Sequence, residues 1–597
     1  AGGENRVLPW LTPPTAGQWV YLQAEVADGR MRLSVHPDTA GEAADPVWTT
    51  RSITWRSAVR LETVTFAATA TGDVNANGRI ENPALHASIV DLHNGTTPIA
   101  AWDFAQDIST DTVTDTGPQG WHGTLINRPT RAILGHRWDR SSVRFTDAPA
   151  QWNAIHFHDD DLDDAGWAVD FTFTVPDATP SGVYAFKLTQ GSAVEYLPFY
   201  VSPAKPTAKV LFIAPTNTYT AYASEHLWEG ERGDAHAKLM SSPIQLDRAE
   251  ELLQGVPGLG RSLYDTHSDG SGVMYATTRR PMVNMRPNYV NWLSAGRRHF
   301  SADLFIIGWL EHLEILFDVM TEEDIDARGT HALAPYDLVI TGSHPEYPTV
   351  TEYEAFESYV GNGGKVMYLG ANGFYWVTSY TGEDRTGIEV RRGYTATRNW
   401  TSHPAELHHS STGELGGTWR HRGYNSNAVF GVGMAAIGWA GASAYRRSME
   451  SRDPGIAWVF AGTEGEVIGS EGYVLGGAAG DELDNADATR GTPPYTTVLM
   501  SSSHNALYYP AIEVRSEIGP GLDGANNPDV RGDVVLVEHP GGGSVFSVGS
   551  ICWAGALAWN KYDNDVARVT ANVLNRFLES RTAVRDPIVE RSRDLRT

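Results

Sequence analysis

The chain has 597 residues, more than one hydrophobic core fills, so several domains are expected. Asp and Glu number 72 against 46 Lys and Arg, a formal net charge of -26, which argues against a nucleic-acid or anionic-membrane partner. Cys552 is the single cysteine, which excludes an intrachain disulfide, a zinc ribbon or an iron-sulfur cluster and suits a cytoplasmic protein.

The opening "AGGENRVLPW" lacks the basic start and apolar stretch of a signal peptide, and its first residue, Ala rather than Met, leaves room for residues upstream. No run approaches the roughly 20 apolar residues of a membrane span, so no membrane partner is expected. Residues 1–140 alternate apolar and polar in short runs such as "QWVYLQAEV" and "MRLSVHP", broken by Gly, Asp, Asn and Pro. This period of two predicts a β-sandwich. In 141–205, "WAVDFTFTVP", "SGVYAFKLTQ" and "EYLPFYVSP" predict the strands of a small immunoglobulin-like β unit, and "SPAKPTAK" reads as a linker.

From 206 to 597 apolar runs alternate with helical patterns, the sign of an α/β domain with a mainly parallel sheet. "AKVLFIAPT" (208–216), "ADLFIIGW" (302–309), "YDLVITGS" (336–343) and "GKVMYLGAN" (364–372) are predicted strands. "TVTEYEAFESYVGNGG" predicts a helix with Tyr353, Phe356, Tyr359 and Val360 on one face. "GGGSVFSVGSICW" and "NDVARVTANVLNRFLES" predict a last strand and helix, whereas 390–530 shows no regular period.

Open α/β sheets bind ligands at the carboxyl ends of their strands, and the ends here read "PTNTYTAY", "GWLEH", "GSHPEY" and "GANGFYW". His344 and Glu346, two apart on an extended segment, point the same way. Asn372 occupies the turn where a nucleophile elbow would hold a serine or cysteine, and Cys552 reads as a small buried residue on the final strand. A cysteine amidotransferase and a serine hydrolase are therefore disfavoured.

What remains is rich in oxygen donors, Tyr219, Tyr222, Tyr264, Asp265, Asp269 and Glu346, with the imidazoles of His267 and His344 among them. Such a set suits a hard metal ion, and trivalent iron binds phenolates directly. Half-buried tyrosines with hydrogen-bonded hydroxyls are the other reading, and the residues by themselves leave both open. Glu482, in the Gly-rich "LGGAAGDELDNADA", is either a general base or part of a charged turn. Arg391 and Arg392 in "EVRRGYTATRNW" either hold an anion or face solvent.

In chain order, "PTNTYTAYA", "LYDTHSDGSGV", "GSHPEY", "LGANGFYW", "EVRRG", "ELHHSSTGELGG" and "GGAAGDELDNAD" resemble the large, catalytic subunit of the N,N-dimethylformamidase family over residues 80–580. The resemblance implies an amidohydrolase with a mononuclear Fe(III) held on a glutamine-amidotransferase-like α/β domain. Carried over motif by motif, it implies Tyr222, Tyr264 and Glu346 as metal ligands, Tyr222 being preferred to Tyr219 on spacing. It places His344, Asn372 and Glu482 around them as catalytic residues. The family's basic position falls on Arg392, where a lysine was expected. It also implies that the sandwich is lectin-like, with the chain starting inside it, since "GQWVYLQAEVADGRMRLSVHPD" resembles its second half. A small amide substrate is implied, dimethylformamide yielding dimethylamine and formate, with Phe374, Tyr375 and Trp376 as apolar walls. A small helical subunit would complete a hetero-oligomer, a dimer of heterodimers or larger. Two other readings compete: a non-catalytic carbohydrate-binding or scaffold protein, and a metal hydrolase for another small amide.

Overall fold

Strands that are apolar on both faces need cover on both faces, and the second half of the chain supplies it with helices. The computed structural model describes residues 17–27, 30–37, 49–54, 63–69, 75–88, 95–240, 242–393, 399–511 and 521–579. The decapeptide read above for a signal sequence lies outside them. The chain divides at Asp159/Asp160 into two compact units. Among the described residues no helix is long and apolar enough to cross a membrane.

The first unit is built of short antiparallel strands. Val20–Ala27, Arg30–Pro37 and Thr49–Thr54 form one sheet; Gly78–Glu81, Ala154–Phe157 and Thr130–Ile133 a second; Ala84–Leu85, Ala100–Asp103, Thr112–Asp115 and Gly123–Thr124 a third. Ala100, Trp102, Phe104, Val113 and Ile155 form a core. Buried Arg131 donates to the carbonyls of Phe104, Gln106, Asp107, Thr110 and Thr112, which satisfies its charge and shapes that loop. Because Ala154–Phe157 pairs with strands on both sides, this unit continues past the boundary at 140 read from the sequence.

The second unit opens on a hairpin, Gly182–Gln190 with Ala193–Val201, turned at Gly191, whose φ of +60° suits a residue without a Cβ. The predicted strand in "WAVDFTFTVP" does not form: 167–176 joins no ladder, and Phe171 and Phe173 instead meet Phe186 edge-on at 5.0 and 5.3 Å. Alternation gives direction to side chains, but a ladder needs a partner strand.

A nine-stranded sheet follows, in the order Phe317–Thr321, Val210–Ala214, Leu338–Thr341, Lys365–Tyr368, Ser544–Ser547, Asp533–Glu538, Thr496–Ser502, Tyr445–Arg447 and Val467–Ile468. Neighbours run parallel as far as Ser544–Ser547 and antiparallel beyond it. On one face Val210 and Phe212 pack with Ile306, Trp309 and Leu574; on the other Leu211, Val339 and Val366 pack with Phe356 and Val360. The helix Val350–Gly361 begins at a capping box between Thr349 and Glu352, which also fixes the end of the 342–349 loop.

Two predicted strands are corrected. "ADLFIIGW" lies in the helix Phe300–His312: the apolar run carries no period that separates the two states, and Phe300, Ala302, Ile306, Trp309 and Leu310 bury one side of it. The edge strand is Phe317–Thr321, so "GWLEH" ends a helix and does not reach the sheet rim. Cys552 sits just before the helix Trp553–Leu557, beyond the last strand. It is buried, and burial raises its thiol pKa, the state of an unreactive cysteine.

Candidate active site

The rim of the parallel strands collects a buried polar cluster. After the strand Val210–Ala214 the short helix Thr216–Tyr222 carries Tyr222. Its Thr218 Oγ1 accepts from the Glu346 amide at 3.0 Å, and Asn217 Nδ2 donates to the Tyr347 carbonyl at 3.0 Å. The loop after strand Leu338–Thr341 is thus tied to that helix. Tyr264 comes from a loop held by Asp265, which accepts from the Ser262 amide at 2.9 Å.

These elements bring three oxygen donors together. The Tyr222 and Tyr264 hydroxyls lie 2.5 Å apart. Tyr222 donates to Glu346 Oε2 at 2.8 Å and Tyr264 to Oε1 at 3.0 Å. His344 Nε2 lies 3.2 Å from Glu346 Oε2 and 2.8 Å from Glu482 Oε2. Asn372 Nδ2 bridges the same carboxylates, 2.9 Å from Glu346 Oε1 and 2.9 Å from Glu482 Oε2.

Asn372 reaches this position on a left-handed turn, φ +49°, followed by Phe374 at φ +56°. Such residues cost ~1–3 kcal/mol each and persist only where their surroundings hold them. Asp484 does so: it accepts from the Asn372 amide at 2.8 Å and from Tyr368 Oη at 2.9 Å, and Tyr368 accepts from the Gly373 amide at 2.7 Å. Glu482 stands on the buried strand Ala479–Asn485, next to Asp481, whose φ is +65°.

Arg392 lies with its guanidinium carbon 4.2 Å from the Tyr264 ring centroid and 4.0 Å from that of Trp376, and its Nη2 donates to Tyr347 Oη at 2.9 Å. Tyr347 in turn donates to Tyr264 Oη at 2.6 Å. Burial and then the Glu346 charge push the phenols of Tyr222 and Tyr264 up. Burial raises the Glu346 carboxyl, with His344 opposing. Burial works against a charged His344, yet the carboxylates of Glu482 and Glu346 raise its pKa.

This donor set fits a hard trivalent cation. With both phenols deprotonated beside Glu346, negative charges would crowd within hydrogen-bond distance of one another, a state that needs a positive charge among the oxygens. Asn372 Oδ1, His344 Nδ1 and Arg392 Nη1 are buried without a hydrogen-bond partner among the described residues, which leaves polar capacity for a ligand or water.

All the residues assigned from the resemblance, Tyr222, Tyr264, Glu346, His344, Asn372, Glu482 and Arg392, meet in this cluster. The other ligand candidates do not. Tyr219 donates to Asp303, Asp265 serves the Ser262 and His226 amides, His267 Nδ1 lies 2.5 Å from Asp160 Oδ1, and Asp269 accepts from the Ser271 amide. Arg391 turns away to a buried pair with Glu389, 2.7 Å. Phe374 packs in the core with Phe356 and Phe430, so it is no pocket wall; Trp376 contributes polarity, its Nε1 donating to Glu346 Oε1 at 3.0 Å.

The sequence reading missed Arg298 and His299. Arg298 Nε donates to Asp481 Oδ2 at 3.1 Å, its Nη2 lies 3.5 Å from Glu482 Oε1, and its guanidinium is 5.1 Å from the Tyr222 ring centroid. His299 packs 4.5 Å from Tyr222 and parallel to His344 at 5.8 Å between ring centroids. The signal was "GRRHF" before the apolar run; read as a strand, that run sent its amino end away from the rim.

Residues 130–564 match the family model described as N,N-dimethylformamidase beta subunit-like, C-terminal. The chain is 38% identical over 532 residues to the N,N-dimethylformamidase beta subunit of Paracoccus aminophilus, covering 85% of this chain and 69% of that protein. It is 38% identical over 499 residues to the beta subunit of the same name from an Alcaligenes species, covering 82% and 65%. A solved ThuA-like protein from Bacteroides uniformis aligns over 46% of this chain and 82% of its own at 13% identity, with a TM-score of 0.24, too low to carry an argument. On a match that spans most of its length, with the motif residues gathered in one buried cluster, the chain belongs to the N,N-dimethylformamidase beta subunit-like family.

Proposed function

We propose that this chain is the catalytic subunit of an amidohydrolase that cleaves the C–N bond of N-substituted formamides, with dimethylformamide and water giving dimethylamine and formate. The observation that carries this reading is the contact of Tyr222, Tyr264 and Glu346 oxygens, at 2.5 to 3.2 Å, beside Glu482 and Asn372. Tyr222, Tyr264 and Glu346 would hold one Fe(III). Bound there, the ion would supply Lewis acidity towards the amide carbonyl.

The rest falls to the chain's own groups. Glu482 takes a proton from water as its oxygen bonds to the carbonyl carbon and the carbonyl π pair moves onto oxygen. The C–N bond then breaks and Glu482 returns the proton to the amine nitrogen. Asn372, joined to both Glu346 and Glu482, sets the distance between the acid-base group and the oxygen donors, and its Oδ1 orients the water. His344 holds Glu482, and the Arg392 charge favours the Tyr264 phenolate. The first unit reads as lectin-like, the hairpin as part of an immunoglobulin-like unit and the mixed sheet as amidotransferase-like. The name beta subunit, borne by the relatives, supports a multi-subunit enzyme, in which a small helical subunit would be the partner.

Metal analysis with the visible spectrum tests this. One iron per chain with a tyrosinate-to-iron charge-transfer band, lost in Tyr222→Phe, is the expected result, together with formate release from dimethylformamide. A colourless protein that holds zinc or no metal after reconstitution with iron, and releases no formate, would overturn it.

A further inference from the structure

The stretch "GRRHF" delivers His299 to the oxygen cluster on a backbone that residues other than glycine seldom adopt. Its φ is +57° and its ψ -132°, outside the left-handed helical region where most non-glycine residues of positive φ are found. The residue is 1% exposed. Its carbonyl accepts from the Ala302 and Asp303 amides, both at 3.0 Å, which starts the helix Phe300–His312. A glycine would make those backbone bonds without strain, so the helix start does not account for the imidazole.

That ring makes two kinds of contact. The polar one is with its neighbour in sequence: Arg298 Nη1 lies 3.2 Å from His299 Nε2. A guanidinium only donates, so Nε2 is the acceptor and the ring proton sits on Nδ1. The same guanidinium donates through Nε to Asp481 at 3.1 Å and approaches Glu482 Oε1 at 3.5 Å through Nη2. His299 therefore holds the remaining arm of the fork. The other contact is aromatic. The His299 ring centroid is 4.5 Å from that of Tyr222, with the planes inclined by 38°, and 5.8 Å from that of His344, inclined by 12°. Tyr222 and His344 are themselves 5.7 Å apart. One side chain thus meets the ring of an oxygen donor and the cation that faces Glu482.

We propose that His299 is a positioning residue for the hydrolysis: its imidazole fixes the plane of the Tyr222 phenol and, by accepting from Arg298, keeps the guanidinium fork aimed at Glu482. This assignment rests on the function proposed above. Without the ring, the Tyr222 phenol loses a packing surface and is free to rock. Without the acceptor, a buried N–H of Arg298 is left unpaired, and the fork turns from Glu482 to satisfy it. The two effects are separable, because the first needs only a flat ring and the second only an acceptor.

Two substitutions in the full chain, with its metal and any subunit that co-purifies, test this. His299→Phe keeps a ring against Tyr222 but cannot accept from Arg298; His299→Gln keeps an acceptor, its Oε1 standing in for Nε2, but has no ring. In His299→Phe, kcat for formamide hydrolysis should fall about 10–100-fold with KM little changed, while the tyrosinate-to-iron band stays in place. In His299→Gln the band should shift and kcat should fall less. Iron content and melting temperature should stay close to those of the wild type in both. A wild-type rate in His299→Phe or an unmoved band in His299→Gln would overturn the assignment. Joint loss of iron, melting temperature and rate in both variants would make His299 a structural residue only, and overturn it as well. A wild type that binds no iron and releases no formate rejects the functional reading and this assignment with it; iron and turnover in the wild type beside unaffected variants reject the assignment alone.

Discussion

Arg298 touches both parts of the oxygen cluster: its charge faces the Tyr222 ring, and its Nη2 reaches Glu482. Its expected role is to position Glu482, with Asp481 held by Trp439 Nε1 at 2.8 Å as the fixed point. Arg298→Met should lower the rate of formamide hydrolysis by about 10–100-fold, the usual effect of losing an outer hydrogen-bond partner. Arg298→Lys should restore only part of it, since an ammonium cannot span Asp481 and Glu482 as a guanidinium fork does. Glu482→Gln is expected to keep the metal and its absorption band while turnover falls about 10²–10⁴-fold, the contribution of a general base. Iron content beside kcat separates the two roles. At this scale the residue types were legible, because phenols, carboxylates and a Gly-rich approach are chemical facts of the sequence. The choice of Tyr222 over Tyr219 rested on the motif spacing of the resemblance alone, since both lie on one short helix and only packing sends Tyr219 to Asp303.

The strand Gly387–Glu389 ends on a buried carboxylate that orders the loops around the site. Glu389 pairs with Arg391 at 2.7 Å and accepts from the Ser410 amide at 2.8 Å and the Ser411 amide at 3.0 Å. Burial opposes its charge, but Arg391, His409 and those amides lower its pKa from 4.5 to about 2. A lowered carboxyl pKa stabilises the fold above 4.5, and that contribution is lost as pH falls from 4.5 through about 2. Glu389→Gln should therefore cost about 3–5 kcal/mol at neutral pH, since it removes the carboxylate opposite the buried Arg391 charge, and the difference from wild type should shrink in acid. Denaturant unfolding at several pH values measures both. The helix Phe300–His312 gives a second prediction: Ile306, fully buried, should cost about 2–5 kcal/mol when replaced by alanine. That helix was misread because its apolar run is near the length where strand and helix overlap, whereas Val350–Gly361 was legible from its period and its Thr349 cap.

At the scale of the molecule, metal and fold are linked. If Tyr222, Tyr264 and Glu346 hold iron in the native state only, iron-loaded protein should melt higher than chelator-treated protein, by an amount that grows with free metal. Equal melting temperatures in thermal scans, with iron shown to be bound in one sample and removed from the other, would reject that linkage. By itself the sequence determined the change from β-rich to α/β character, the absence of a nucleophile at Asn372, and the motif residues, since period and residue chemistry are local properties. Only the tertiary structure decided that Tyr264, Glu346 and Asn372 on their loops and Glu482 on its strand close on one point, and that Arg298 joins them. Those outcomes depend on contacts such as Asn372 to Glu482, 110 residues apart, and no local pattern encodes the distance between side chains so far separated along the chain.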